Sequence, residues 1–120
     1  MENFNLKGIA IFRILNYKKA LEFYVAWLDF NIDWEHRFGP NEPVYMQISR
    51  NGLIIHLSEN KRFQTGVIIF IETNGIEEAR MSILNKGHYK VPEISTTPWN
   101  TKQFEIEDPF GNLMRFNESV

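Results

Sequence analysis

Residues 98–116 read Pro-Trp-Asn-Thr-Lys-Gln-Phe-Glu-Ile-Glu-Asp-Pro-Phe-Gly-Asn-Leu-Met-Arg-Phe, and this stretch decides the fold. It starts with a turn that carries an aromatic ring, Pro98-Trp99-Asn100. Strand-like alternation follows, with Phe104 and Ile106 on one face and Gln103, Glu105 and Glu107 on the other. Asp108-Pro109-Phe110-Gly111 has turn chemistry: Pro109 pre-sets its φ, and Gly111 takes φ > 0 without steric cost. Residues 113–116 return as a second strand, so the stretch is a β-hairpin with one apolar face and one face carrying Glu105 and Arg115. A lone hairpin is not stable in water, so the rest of the chain must cover the apolar face.

Working outward, residues 8–15 form a short apolar run consistent with a buried strand. Asn16 is placed to cap a helix, whose apolar positions Ala20, Leu21, Tyr24, Val25 and Leu28 recur at helical spacing up to Asp29. Residues 31–38 alternate Ile32, Trp34, His36, Phe38 against Asp33, Glu35, Arg37, the pattern of a half-buried strand. Residues 44–49 and 53–58 are two more strands around an Asn51-Gly52 hairpin turn. After a polar connector, 59–65, the order restarts. Residues 66–73 make a strand, Ile76, Ala79, Ile83 and Leu84 a helical stripe stopped by Gly87, and 89–94 a weaker strand leading to the hairpin. Tyr17, Ala20, Tyr24 and Val25 fall on Ile76, Ala79, Ile83 and Leu84 at a constant offset of 59. The chain is therefore expected to be α+β, a tandem βαβββ repeat with module one at about 7–58 and module two at about 66–117 of a single 1–120 domain.

The totals exclude several classes. A length of 120 residues suits one domain or two small modules sharing a core. A net charge of −2 speaks against a nucleic-acid partner. No apolar run approaches the roughly 18 residues of a membrane span, and the opening Met-Glu-Asn-Phe-Asn has no signal-peptide character. With no cysteine there is no disulfide, thiolate nucleophile or Cys-based zinc site, and a cytoplasmic protein is expected. Aromatic content of 14%, including ten Phe, leaves rings available to line something other than the core.

The tandem order, with Ala20-Leu21-Glu22-Phe23-Tyr24 in the first helix, Trp99-Asn100 before the penultimate strand and Asp108-Pro109-Phe110-Gly111-Asn112 before the last, resembles the vicinal oxygen chelate superfamily. That group includes glyoxalase I, the extradiol dioxygenases and the fosfomycin and bleomycin resistance proteins. The resemblance covers nearly the whole chain and implies that each module curls its sheet into half of a cleft. In the enzymes of the group, His or Glu on four strands holds a divalent metal with one open position. Those positions fall on Ile9, His56, Val67 and Arg115, of which only His56 can ligate, so the resemblance implies no metal and no cofactor. The metal-free bleomycin resistance proteins are homodimers that sequester a drug in aromatic, acidic grooves. Against that branch the charge is mild, the 59–65 connector is short, and Ala10 stands where a proline is frequent.

The implied function is a homodimeric, small-molecule binding protein connected with antibiotic resistance. Its lining would come from Trp34, Phe38, Tyr45, His56, Phe63, Trp99, Glu105 and Arg115. The rival is a metal-dependent lyase or dioxygenase of the same superfamily, using His56 with Glu105 or Gln47. Each residue also has a bland reading: His56 as a hydrogen-bonded strand residue, Trp34 in the core or a dimer interface, Glu105–Arg115 as a solvated cross-strand pair. His36 reads as a solvated edge position and His88 as an exposed turn residue. Trp27 reads as helix–sheet or chain–chain packing. No nucleophile–base pair or glycine-rich phosphate loop is visible.

Overall fold

The structure, a computed structural model, describes residues 3–87 and 89–119, so His88 lies outside the described residues. The fold is α+β. Strand β1 (Ala10–Arg13) leads to helix α1 (Tyr17–Ala20), then to β2 (Asn31–His36), β3 (Tyr45–Arg50) and β4 (Leu53–Ser58). The second half is β5 (Ile68–Glu72), α2 (Ile76–Leu84), β6 (Ser95–Thr96), β7 (Thr101–Glu107) and β8 (Leu113–Ser119). Two four-stranded mixed sheets result, ordered β1-β4-β3-β2 and β5-β8-β7-β6. In each, the first strand runs parallel to the last and the remaining pairs are antiparallel. Ile11 pairs with His56 and Phe70 with Arg115, so the displacement of 59 read from the helices also relates the two parallel registers.

Asn16 caps α1 as expected, its side chain accepting from the Lys19 amide at 2.9 Å. The helix then widens into a π-helical segment, Leu21–Trp27, and ends at Asp29 in the left-handed conformation (φ 58°). Widening moves the buried stripe: Phe23, Tyr24, Trp27 and Leu28 are buried, whereas Leu21 and Val25 are only partly so. Trp27 is buried, its ring 5.2 Å from that of Phe23 and 4.4 Å from that of Tyr89. The strand expected over 89–94 is absent. Pro92 lacks an amide donor, and the Val91 and Pro92 carbonyls accept from the Arg80 guanidinium instead of a neighbouring strand. The short β6 begins only at Ser95, while β8 runs on to Ser119.

The Asp108–Asn112 turn joins the two halves. The Asp108 carboxylate, 4% exposed, accepts from the Tyr24 hydroxyl at 2.6 Å, the Phe110 and Asn112 amides at 2.9 and 2.8 Å, and the Asn112 side-chain amide at 2.9 Å. Asn112, fully buried, also donates to the Arg13 carbonyl and accepts from the Gly66 and Val67 amides. A buried carboxylate is tolerated because four donors replace its water. Burial first, and then the Asp108 charge, holds the Tyr24 hydroxyl well above its ordinary pKa. Gly111 takes φ 93°, which a side chain would strain.

Both helices cover the same kind of face. Phe12, Met46, Ile48, Ile55 and Leu57 are buried on one sheet, and Phe104, Ile106 and Met114 on the other. The opposite faces are open. The molecule measures 50 × 48 × 22 Å, and its radius of gyration of 15.6 Å exceeds the roughly 13–14 Å of a compact chain this long. Among the described residues no helix is long and apolar enough to cross a membrane.

Candidate ligand-binding site

The open face of the first sheet is shaped by a β-bulge. Ile32 pairs with Ile48 and Trp34 with Gln47, which leaves Asp33 as the extra residue. Its carboxylate accepts from the Gln47 amide at 3.1 Å and the Ser49 hydroxyl at 2.9 Å. A bulge shifts side-chain parity by one. Ile32 therefore turns to the helix side and Trp34 and His36 to the open side, so the expected common face of Ile32, Trp34, His36 and Phe38 is broken. Nor is β2 half-buried. It is an edge strand with β3 as its one partner, and all six of its residues are exposed.

Asp33 starts a polar chain across the sheet. Because a carboxylate only accepts, the Gln47 NH₂ faces Asp33 and its carbonyl faces His56, whose Nε2–H donates at 2.9 Å. His56 Nδ1 then accepts from the Tyr45 hydroxyl at 2.8 Å. With Nε2–H donating to Gln47, this arrangement suits the neutral Nε2-protonated imidazole, which burial favours by lowering the pKa from the ordinary value. Burial likewise raises that of Tyr45. The Trp34 ring stacks on Tyr45 (6.0 Å, 13°) and meets His56 edge-on (5.3 Å, 70°). Beyond them His36 packs against Phe38 at 4.6 Å. A groove of about 530 Å³ runs along these rings and the Glu42–Tyr45 segment.

The second sheet is built differently. Arg115, at the position equivalent to His56, lies opposite Glu105 and pairs with it at 2.5 Å, Nε to Oε2. Both side chains are about one-third exposed, 37% and 36%, so water screens the pair and its worth is at most about 1 kcal/mol. Phe70, beside Arg115 in register, is 54% exposed.

Of the residues expected to line a site, Trp34, Phe38, Tyr45 and His56 come together on the first sheet. Glu105 and Arg115 lie on the second. Trp99 sits at the tip of its turn, 67% exposed, beside Asn100 at φ 66°. Phe63 is held through its backbone, the carbonyl accepting from Arg13, with its ring near the Arg62 guanidinium. One chain does not unite the two sets. Asp33, Glu42 and Phe70 were not singled out in the sequence reading, whereas His36 is exposed on the edge strand as expected. For Asp33 the signal was its poor fit to a regular strand, for Phe70 its offset of 59 from Ile11. A larger cleft of about 800 Å³ lies between the Arg50–Leu53 turn and α2. There Arg50 is already bonded to the Leu28 carbonyl and the Ser82 hydroxyl.

The four positions implied for metal ligands do not fit a divalent cation. Ile9 and Arg115 offer no neutral or anionic donor, and His56 has both ring nitrogens hydrogen-bonded. Val67 packs against the core, so the open-face position at the start of β5 is Ile68, which is equally without a donor. Among the described residues no three His, Cys, Asp or Glu side chains cluster for a metal.

A profile of the glyoxalase superfamily matches residues 3–120, and the chain belongs to that superfamily, the vicinal oxygen chelate group whose motifs it carries. Three solved structures illustrate the likeness. One, a bleomycin-binding protein complexed with bleomycin, superposes with a TM-score of 0.76 at 13% identity, over 97% of this chain and 100% of that one. A bleomycin resistance determinant encoded on the transposon Tn5 gives 0.78 at 14% identity, over 96% and 98%. A glyoxalase family protein from Enterococcus faecalis gives 0.73 at 16% identity, over 95% and 97%. At these identities the likeness establishes the fold. No curated protein matches the chain by sequence.

Proposed function

We propose that this protein is a metal-free, homodimeric binding protein that sequesters a small aromatic, cationic molecule of the bleomycin type in the cytoplasm. Residues 1–120 act as one unit, its two modules each supplying one open face. The observation that carries this reading is the first sheet's open face: stacked, solvent-facing rings surround a histidine whose nitrogens are both engaged. Such a face supplies contact area and orientation without a reactive group, which is what sequestration requires. Trp34, Phe38, Tyr45 and His56 form one wall, and Phe63, Trp99, Glu105 and Arg115 belong to the wall contributed by a second copy. The flat, open shape supports a partner covering these faces. The bleomycin-binding neighbour supports the ligand class.

The test is a fluorescence titration with metal-free bleomycin after the dimer mass and metal content are measured. Saturable quenching near one ligand per chain is expected, with Trp99→Ala weakening binding while the dimer persists. Loss of the dimer in that variant makes Trp99 structural. The second reading, a metal-dependent lyase or dioxygenase, would use His56 with Glu105 or Gln47. Stoichiometric Ni, Zn, Mn or Fe that only a chelator removes would establish that alternative.

A further inference from the structure

The groove at the end of β2 is complete within one chain, and its chemistry is more specific than an aromatic wall. Four rings border it: Trp34, His36, Phe38 and Tyr45. Trp34 is 42% exposed and Phe38 92% exposed, so these rings face solvent instead of the core. Glu42 also lines it. Among the described residues the Glu42 carboxylate has no ion-pair or hydrogen-bond partner; its backbone carbonyl accepts from Arg37 and its backbone amide donates to the Gly39 carbonyl.

The nearby Arg37 guanidinium is not among the lining groups and already has partners. Arg37 donates to the Glu42 carbonyl at 2.8 Å, lies 3.5 Å from the Glu59 carboxylate, and sits 5.1 Å from the centre of the Tyr17 ring. No lysine or arginine lines the groove, and Glu42 is its one acidic lining residue. Ring faces carry the negative side of the aromatic quadrupole and attract a cation whose alkyl groups shed water easily. A compact, strongly hydrated ammonium would lose its water shell for little return. The neutral His56 network behind Tyr45 adds no competing charge.

We infer that this groove is a subsite for an alkylated ammonium group, held by cation–π contact with Trp34, Tyr45 and Phe38 and by the Glu42 carboxylate. The inference deepens the binding function proposed above by naming the group that docks first, and it needs one chain only.

The experiment follows the indole N–H signal of Trp34, assigned through Trp34→Phe, by NMR while the protein is titrated with choline. A parallel titration uses 3,3-dimethylbutan-1-ol, which has the same shape without the charge. Choline is expected to bind at least about fivefold more tightly than the alcohol, the ratio that one modest cation–π contact supplies. Glu42→Gln and Phe38→Ala change exposed side chains and leave the core intact. Each is expected to shrink that preference to about twofold or less. Equal affinity for the two probes, no saturable shift with either, or a preference unchanged in both variants overturns the subsite. Bleomycin binding without a choline response removes this inference alone, whereas a choline response without bleomycin binding removes the drug and keeps the subsite.

Discussion

The two open faces share a topology and differ in chemistry. On the first sheet, β4 presents His56, neutral and held between Tyr45 and Gln47. On the second, β8 presents Arg115 at the same offset, charged and paired with Glu105. One face is a network of neutral donors and acceptors under stacked rings, and the other a screened ion pair beside a phenyl ring. A duplicated frame needs only its helix-side residues to keep the fold, because those residues form the core. The open-face residues His56 and Arg115 lie outside that core, which leaves their chemistry free to differ.

The frame that makes this comparison possible depends on the Asp108–Asn112 turn, and the largest effect is expected there. Asn112→Ala leaves the Gly66 and Val67 amides and the Arg13 carbonyl without their partner. It should cost on the order of 3 kcal/mol in denaturant unfolding. NMR signals of both open faces should shift together, and a shift confined to the second sheet would mean that the turn does not hold the halves in register.

Asp33→Ala tests the first face alone. Freeing the Gln47 amide and Ser49 hydroxyl should cost about 1–2 kcal/mol and re-aim Trp34, seen as a change in its emission. Signals from Glu105 and Arg115 should stay in place. An unchanged Trp34 environment would show that the bulge is fixed by the backbone and not by the carboxylate.

The pH response should separate the faces as well. Burial puts the folded-state pKa of His56 below its ordinary 6.5. The unfolded chain therefore takes up the proton first as pH falls. The stability tied to neutral His56 is complete above 6.5, declines as pH drops from there toward the folded-state value, and levels off below it. Unfolding midpoints of the protein and of His56→Gln, compared between pH 7.5 and 5.5, should differ by this slope. Identical pH profiles would remove the neutral network from the stability of the first face.

The smallest effect belongs to the second face. Glu105→Gln should cost about 0.5 kcal/mol or less, and added salt should erase the difference, because the pair is partly solvated. A larger, salt-insensitive loss would mean that the pair is shielded by a partner chain.

Much of this molecule was readable from residue order. The hairpin turn at Asp108-Pro109-Phe110-Gly111, the Asn16 cap, the Asn51-Gly52 turn, the duplicated element order and the helix-side partners Phe104 and Ile106 all follow from local chemistry and side-chain period. The pairing of Glu105 with Arg115 followed from hairpin symmetry. What local chemistry could not supply was parity and competition. The Asp33 bulge puts Ile32 and Trp34 on opposite faces, and Asp33 there accepts from two side chains on β3. The Arg80 guanidinium takes the carbonyls that would have made 89–94 a strand. The π-helical turn moves the buried stripe onto Phe23 and Trp27. At the bulge and at residues 89–94, partners distant in sequence hold a conformation that the local residues merely permit, and only the folded chain brings those partners into reach.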